Sequence, residues 1–329
     1  MDARHDISRF TIPLTVTALI LLVSLSFMPS TVADTLRYSL VGQYFRIGWF
    51  FESETVSKIA SILLLAVCPL MFYAFDRRYP IHLGTCFPLL YSVLVFSCRD
   101  ALCLSSIHIA AFFLTWALFY SFRASLETYD ADNPFLSMLM LSTASLFFVP
   151  LVWMAPLLAL LDNNNSAQKG KTIIGSILGL LLPIVFTVGI HVMITDFNDI
   201  SEPLLRYLEM AVDIDTGIPQ FMQSSTVLKV LLIAIAIVWA SIIYLTVYNT
   251  LDITAERCHI RCMLYGIWLT ATALVFGNSM GSLVWMLPMM PLSFFLYAFF
   301  CRLTQKRIGI FLLSLLILVI IAERIVILL

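Results

Sequence analysis

The sequence predicts an all-α fold, a polytopic transmembrane helical bundle that forms a single integral membrane domain over residues 1–329. Three observations carry that prediction. Hydrophobic residues make up 61% of the chain and charged residues only 12%, whereas soluble domains carry about 25% charged residues. A mean hydropathy of +0.97 leaves more apolar surface than a soluble core of this length can hide. Apolar runs of the length needed to cross a bilayer, about 20 residues, recur along the chain. Lys and Arg fall unevenly between the two sets of connections those runs define. With 19 basic and 20 acidic residues the net charge is -1, which offers no electrostatic footprint for nucleic acid.

The first run, 11–29, ends at Pro29, and its flank mixes Asp2 and Asp6 with Arg4 and Arg9. It is read as a retained helix rather than a cleaved leader. Spans follow at about 56–75, 84–97 and 104–122. The stretch 135–161 is too long for one comfortable helix and too short for two complete ones. It contains Pro150 and Pro156, and proline removes an amide donor and breaks the helical turn. Two short helices meeting near Phe147 to Leu151 are expected. Further spans lie at about 172–194, 228–248, 263–276, 281–301 and 308–322. The expected architecture is thus about nine full spans plus a broken helix pair. In the span 172–194, Gly175 and Gly179 set small residues four apart, a spacing that lets helices approach closely.

With the N-terminus inside, the inner segments hold Arg4, Arg9, Arg77, Arg78, Arg123, Lys169, Lys171, Arg257, Arg261, Arg302, Lys306 and Arg307. The outer side holds Arg37, Arg46, Lys58, Arg99, Arg206, Lys229 and Arg324. That bias supports a cytoplasmic N-terminus and requires the broken pair to count as two crossings. Two outer connections are long. Residues 30–55 carry the stripe Leu36, Leu40, Tyr44 and Ile47 into Trp49-Phe50-Phe51. Residues 195–227 place Ser201 as a helix N-cap, Pro203 early, and Leu204, Leu208 and Val212 on one side. Both read as amphipathic segments lying in the membrane interface.

The cysteines form no dense framework. Cys68, Cys86 and Cys301 lie in spans, and Cys98 and Cys103 flank a tight outer turn where free thiols are favoured over a disulfide. Cys258, His259 and Cys262 have half of a metal-site spacing, but zinc takes four ligands and no second pair lies nearby; no metal or other cofactor is expected. No phosphate-binding glycine loop, H-E-x-x-H or G-x-S-x-G is present. No Asp or Glu stands in the middle of any span, which disfavours a proton- or sodium-coupled transporter. His108 and His191 are the exceptions among ionisable groups, each nearer the outer end. Polar candidates gather on the outer face instead: Asp34 after the first span, Glu52 and Glu54 before the second, and Arg99-Asp100 in the turn after the third, with Arg46 and His108 nearby in the topology. An acid beside an arginine on one face can act as general base and phosphate clamp.

The run from Ile107 to Leu161 passes from a span through Arg123 to Asn133-Pro134, then into the broken pair around Ser145-Leu146-Phe147-Phe148-Val149-Pro150. Met286-Leu287-Pro288-Met289-Met290-Pro291-Leu292-Ser293-Phe294-Phe295 precedes a basic inner loop and the last helix. This pattern is similar to an uncharacterised family of multi-spanning inner-membrane proteins from Bacteroidota. The layout also resembles the membrane domain of GT-C glycosyltransferases, which use lipid-linked sugars. That resemblance implies a bacterial inner-membrane location and a catalytic acid in the first outer loop. Asp34 is the nearest positional match there, with Glu52 and Glu54 as substitutes. It also implies a substrate site involving Arg46, Arg99, Asp100 and His108, and a polyprenyl-phosphate-linked sugar as partner beside the lipid bilayer. The paired acidic signature and a large outer C-terminal domain are missing. A non-catalytic envelope scaffold with its own protein partners is therefore the alternative expectation, and a facilitative transporter the third.

Overall fold

The structure, a computed structural model, describes residues 54–79, 87–96, 98, 101–127, 132–165, 169–194, 201–213, 253–276, 281–302 and 306–328, with isolated positions elsewhere. Every regular element among them is helical. In chain order they are α1 (Glu54–Arg78), α2 (Phe87–Phe96), α3 (Ser106–Leu126), α4 (Asp132–Phe147), α5 (Ala155–Asn165), α6 (Lys169–Ile194), α7 (Ser201–Val212), α8 (Ile253–Phe276), α9 (Met286–Arg302) and α10 (Lys306–Leu328). Short 3-10 helices, Val149–Met154 and Gly281–Trp285, lead into α5 and α9.

Side-chain ties fix how the helices run. Ser57 Oγ accepts from Leu104 N–H at 2.8 Å, while Tyr79 hydroxyl meets the Glu127 carboxylate. The start of α1 therefore lies beside the start of α3, and their far ends meet as well, so the two helices are parallel. Phe72 and Phe75 of α1 interlock with Phe119 and Phe122 of α3 along this seam. Chain reversal places α4 antiparallel to α3: Ser137 Oγ donates to Ala117 O at 3.0 Å, and Phe113 stacks on Phe147 near the other end. Helix α8 is also antiparallel to α3, with Arg257 reaching Ser125 O and Tyr265 reaching Ser121. The bundle thus has two ends. One collects the start of α1, the turn before α3 and the tip of α4. The other collects Tyr79, Glu127, the start of α4 and the start of α8.

The break in the stretch 135–161 is where the prolines put it. Helix α4 stops at Phe147, Phe148 is extended, and Pro150 occupies the first turn of the 3-10 helix. Pro156 then sits in the first turn of α5, where its missing N–H has no helical acceptor to serve. Asp162 on α5 returns to Ser121 on α3 with an Oγ–Oδ1 distance of 2.7 Å, so the pair runs up and back.

The expectation of nine full spans is not reproduced. Among the described residues, four helical stretches have the length and composition to cross a membrane: Thr55–Phe75, Ser106–Leu126, Lys169–Met193 and Glu256–Phe276. Within the segments expected at 84–97, 281–301 and 308–322, the described apolar stretches are Phe87–Phe96, Leu283–Phe294 and Leu313–Ala322, the last inside the 23-residue α10. Helix α2 is described over Phe87–Phe96, and Cys98 N–H donates to Val95 O at 2.9 Å just after it. Helix α8 begins ten residues ahead of the expected 263, because Arg257 and Arg261 find partners inside the bundle rather than in water. The expected spans 11–29 and 228–248 and most of the segment 30–55 lie outside the described residues.

The small-residue spacing of α6 serves close packing. A Cβ added at Gly179 would lie 2.5 Å from Phe135 O and 3.1 Å from Leu139 N, so α4 crosses here on bare backbone. Ser142 Oγ adds a 2.6 Å bond to Leu180 O. At Gly170 and Gly189 the added Cβ meets nothing within 4 Å. Gly179→Ala is expected to cost roughly 1–3 kcal/mol through forced separation of α4 and α6. Thermal unfolding in detergent should show a clearly lowered Tm for it, with Gly170→Ala and Gly189→Ala unchanged or slightly raised. Equal midpoints for all three variants would contradict the packing described.

Candidate functional site

The most concentrated polar chemistry is buried at the second end, where α3, α5 and α8 meet. Arg261 and Asp162 are 2% and 0% exposed, and Arg261 Nη1 lies 2.5 Å from Asp162 Oδ1. The same Nη1 is within 2.6 Å of Ser121 O and 2.8 Å of Ser121 Oγ, and Nη2 donates to Leu161 O at 2.6 Å. Ser121 Oγ also lies 2.7 Å from Asp162 Oδ1 and 2.5 Å from Tyr265 Oη. Arg261 and Tyr265 share a face of α8 because they are four residues apart. Asp162 Oδ2 is buried with no hydrogen-bond partner. Both terminal nitrogens of Arg261 are therefore engaged by the bundle itself.

A second polar junction lies at the same end, nearer solvent. Glu127 Oε2 accepts from Arg123 Nη2 at 2.8 Å and from Asn133 Nδ2 at 3.1 Å, while Oε1 takes the Tyr79 hydroxyl. One carboxylate so joins the ends of α1 and α3 to the start of α4, and the Arg78 guanidinium sits over the Tyr79 ring at 5.5 Å. Burial pushes the Glu127 carboxyl up, but its bonds to Tyr79, Arg123 and Asn133 and the Arg123 charge outweigh that and hold it below its ordinary value. Burial and the bond to Glu127 push the Tyr79 phenol the other way, upward.

At the first end, His108 is buried and both ring nitrogens are engaged within the chain. Nε2 is 2.8 Å from Ala101 O; Nδ1 is 3.2 Å from Ser105 N and 2.8 Å from Ser105 Oγ. With Nε2 donating to the carbonyl, Nδ1 accepts from Ser105. His108 thereby takes the place that Glu or Gln occupies in a capping box at the start of α3. Ser61 Oγ donates to Leu102 O at 3.1 Å and Ser57 accepts from Leu104 N, so the start of α1 is laced to the turn before α3. Glu54 is the first residue of α1; its side chain, together with Asp34, Arg46, Glu52, Arg99 and Asp100, lies outside the described residues. Cys98 and Cys103 are not joined in a disulfide. His259 packs edge-on to Phe294 at 4.8 Å beside buried Cys258 and Cys262. Among the described residues no three His, Cys, Asp or Glu side chains converge as metal ligands.

The Asp162–Arg261 pair corrects the sequence reading, which placed Arg261 in an inner connection and did not single out Asp162. Asp162 directly follows the apolar run that ends at Leu161, and Arg257, Arg261 and Tyr265 follow at helical spacing. Those two signals point to buried partners on facing helices once α5 is understood to return toward α3.

Fold and polar centre together define the class: an all-helical bundle with long apolar helices, charged inside where three of its helices meet. Within that class the chain belongs to the family of unknown function DUF6427, which matches residues 38–327. No curated relative and no solved structure matches it.

Removing one member of a buried ion pair leaves the other charge uncompensated, typically at a cost of about 3–5 kcal/mol, whereas replacing both with apolar residues is often neutral. Arg261→Met and Asp162→Leu are each expected to collapse the yield of folded protein, and the double variant to recover much of it, as read by size-exclusion profile and Tm. The single variants behaving like the parent would refute the tie. A second expectation concerns pH. Because Glu127 is held below its ordinary 4.5 in the folded chain, its contribution is complete above that value and is lost as pH falls through the lowered one. Glu127→Gln should flatten the fall of Tm between neutral and acid pH.

Proposed function

We propose that this chain is an integral membrane protein that crosses the cytoplasmic membrane of a bacterium several times, its N-terminus inside. The observation that carries this reading is inverted polarity. Helix α6 leaves Ile174, Leu178, Leu182, Val185 and Phe186 exposed along one face, while its polar Thr172, Ser176, Thr187 and His191 point into the bundle. Arg261 and Asp162 are likewise inside. Water would penalise such a surface, and hydrocarbon would not. The second end, which gathers Arg78, Arg123, Arg257 and Lys169, is the cytoplasmic one under the positive-inside rule.

For its activity we carry forward a GT-C-like transfer reaction on a polyprenyl-phosphate-linked sugar at the outer face. Three features support it: the broken α4–α5 pair, an amphipathic α7 at its apex, and the lacing of the start of α1 to the turn before α3. The last ties Ser57 and Ser61 of α1 to Leu104 and Leu102, which follow Arg99 and Asp100 in the chain. In this reading Asp34, or Glu52 or Glu54, takes the proton from the acceptor hydroxyl, and Arg99 or Arg46 neutralises the leaving phosphate. The competing reading, a non-catalytic envelope scaffold, draws support from Arg261, whose two terminal nitrogens both bond groups of the bundle itself.

Native mass spectrometry of mildly solubilised protein separates the two. A retained polyprenyl-phosphate or lipid-linked sugar, lost in Asp34→Asn or Arg99→Ala, is expected for the transferase. Only bulk phospholipid, or a protein partner, would assign the scaffold. Single cysteines placed at Asn164 and Asn198 should label from opposite sides of the membrane; labelling from the same side would overturn the topology.

A further inference from the structure

Helix α7 is sorted into three sectors. Pro203, Tyr207, Met210 and Ala211 are buried against the bundle. Glu202, Arg206, Glu209 and Asp213 form a polar sector, with Arg206 and Glu209 paired at 3.4 Å. Between the two, Leu204, Leu205, Leu208 and Val212 stand 41–64% exposed. Three of these four recur every four residues, so they make a continuous stripe along the whole helix. Such a stripe is unusual for a helix already docked by another face, since docking satisfies one apolar face and leaves the rest to water.

What holds α7 in place is specific. Tyr207 Oη lies 2.7 Å from Ser145 Oγ at the tip of α4, and Trp153 Nε1 in the 3-10 helix donates to Ala211 O at 2.8 Å. Burial pushes the Tyr207 phenol up to about 12, so it stays neutral on this seat. These contacts fix the orientation of the exposed stripe relative to α6. The exposed row of α6 runs through Val185 and Phe186 to Met193, which is 88% exposed, and α7 packs against α6. Trp153 is half-exposed with its N–H satisfied by Ala211 O, as indoles are at the headgroup level of a bilayer.

We propose that α7 is a membrane-surface helix whose Leu204, Leu205, Leu208 and Val212 seat in the acyl–headgroup boundary of the phospholipid leaflet. The proposal rests on the membrane reading above and extends it to a stated partner, the lipid surface itself. The charge on α7 refines the partner. Surface helices that depend on anionic lipid carry Lys and Arg on the polar sector; here that sector holds three acids and one arginine. Seating is therefore driven by the apolar stripe, is indifferent to anionic lipid, and persists at high salt.

The test replaces Leu208, Glu209 and, on α6, Phe186, each in turn, by the photo-crosslinker p-benzoylphenylalanine. The full chain is reconstituted in nanodiscs of phosphatidylcholine, with and without phosphatidylglycerol, then illuminated and weighed intact. Phe186 and Leu208 positions should each gain the mass of one phospholipid in both compositions, and the Glu209 position should not. A lipid adduct at Phe186 with none at Leu208 overturns the α7 proposal while leaving the membrane reading intact. No adduct at Phe186 overturns the membrane reading and this inference with it. A crosslinked dimer at Leu208 gives the stripe to a second copy and rejects the lipid. An adduct at Leu208 confined to discs containing phosphatidylglycerol rejects the apolar mode of seating.

Discussion

A guanidinium removed from water has to find its acceptors within the protein, and Arg261 finds them on two other helices at once. It takes Ser121 from α3, and Leu161 and Asp162 from α5. Helices α3, α5 and α8 can satisfy that demand only in one mutual register, because the planar fork leaves little angular freedom. Much of the remaining architecture then follows. Helix α3 is held at its far side by the parallel α1, through Phe72, Phe75 and the Tyr79–Glu127 contact. Helix α4 is carried by α3 through Ser137 and by α6 through the bare backbone at Gly179. A buried ion pair is weak evidence of net stability; its value here is in register, since slipping α8 by one turn would strand a charge.

The two ends of the bundle solve the same problem in different ways. At the Glu127 end, formal charges face each other and the connections are tied by carboxylate bonds. At the His108 end the ties are neutral: serine hydroxyls on α1, an imidazole cap on α3, and a phenol on α7. Hydroxyl and imidazole groups lose less on desolvation than ions do, so the neutral end keeps close contacts without demanding counter-charges.

How much of this could be read from the sequence depended on whether each residue's partner was local. Pro150 and Pro156 act on their own backbone, so the break between α4 and α5 was legible to within a few residues. Gly179 was legible as a close-approach position, though not its partner. The start of α7 followed from Ser201 and Pro203. The extent of α8 was not legible, because hydropathy treats Arg257 and Arg261 as loop charges and cannot see Ser125 or Asp162 across the bundle. The same blindness hid Asp162, which reads as the first polar residue after an apolar run. Of the expected spans, those at 56–75, 104–122, 172–194 and 263–276 coincide with the four membrane-length helices among the described residues, because each is a long apolar run that hydropathy alone detects. Six of the seven residues nominated for chemistry have side chains outside the described regions, and the seventh, His108, has both nitrogens turned to a helix cap.

The separation of Asp162 and Arg261 in the chain, 99 residues, gives the pair an order in time. Ribosomes add about 5–20 residues per second, so Asp162 is made some 5–20 s before its counter-charge exists. During that interval its carboxylate has Ser121 to lean on and no cation. The arrival of α8 supplies the missing counter-charge at the junction of α3 and α5. A chain truncated ahead of α8 is thus left with an uncompensated acid at the junction of its first helices, the kind of fault by which quality-control proteases distinguish an unfinished membrane protein from a finished one.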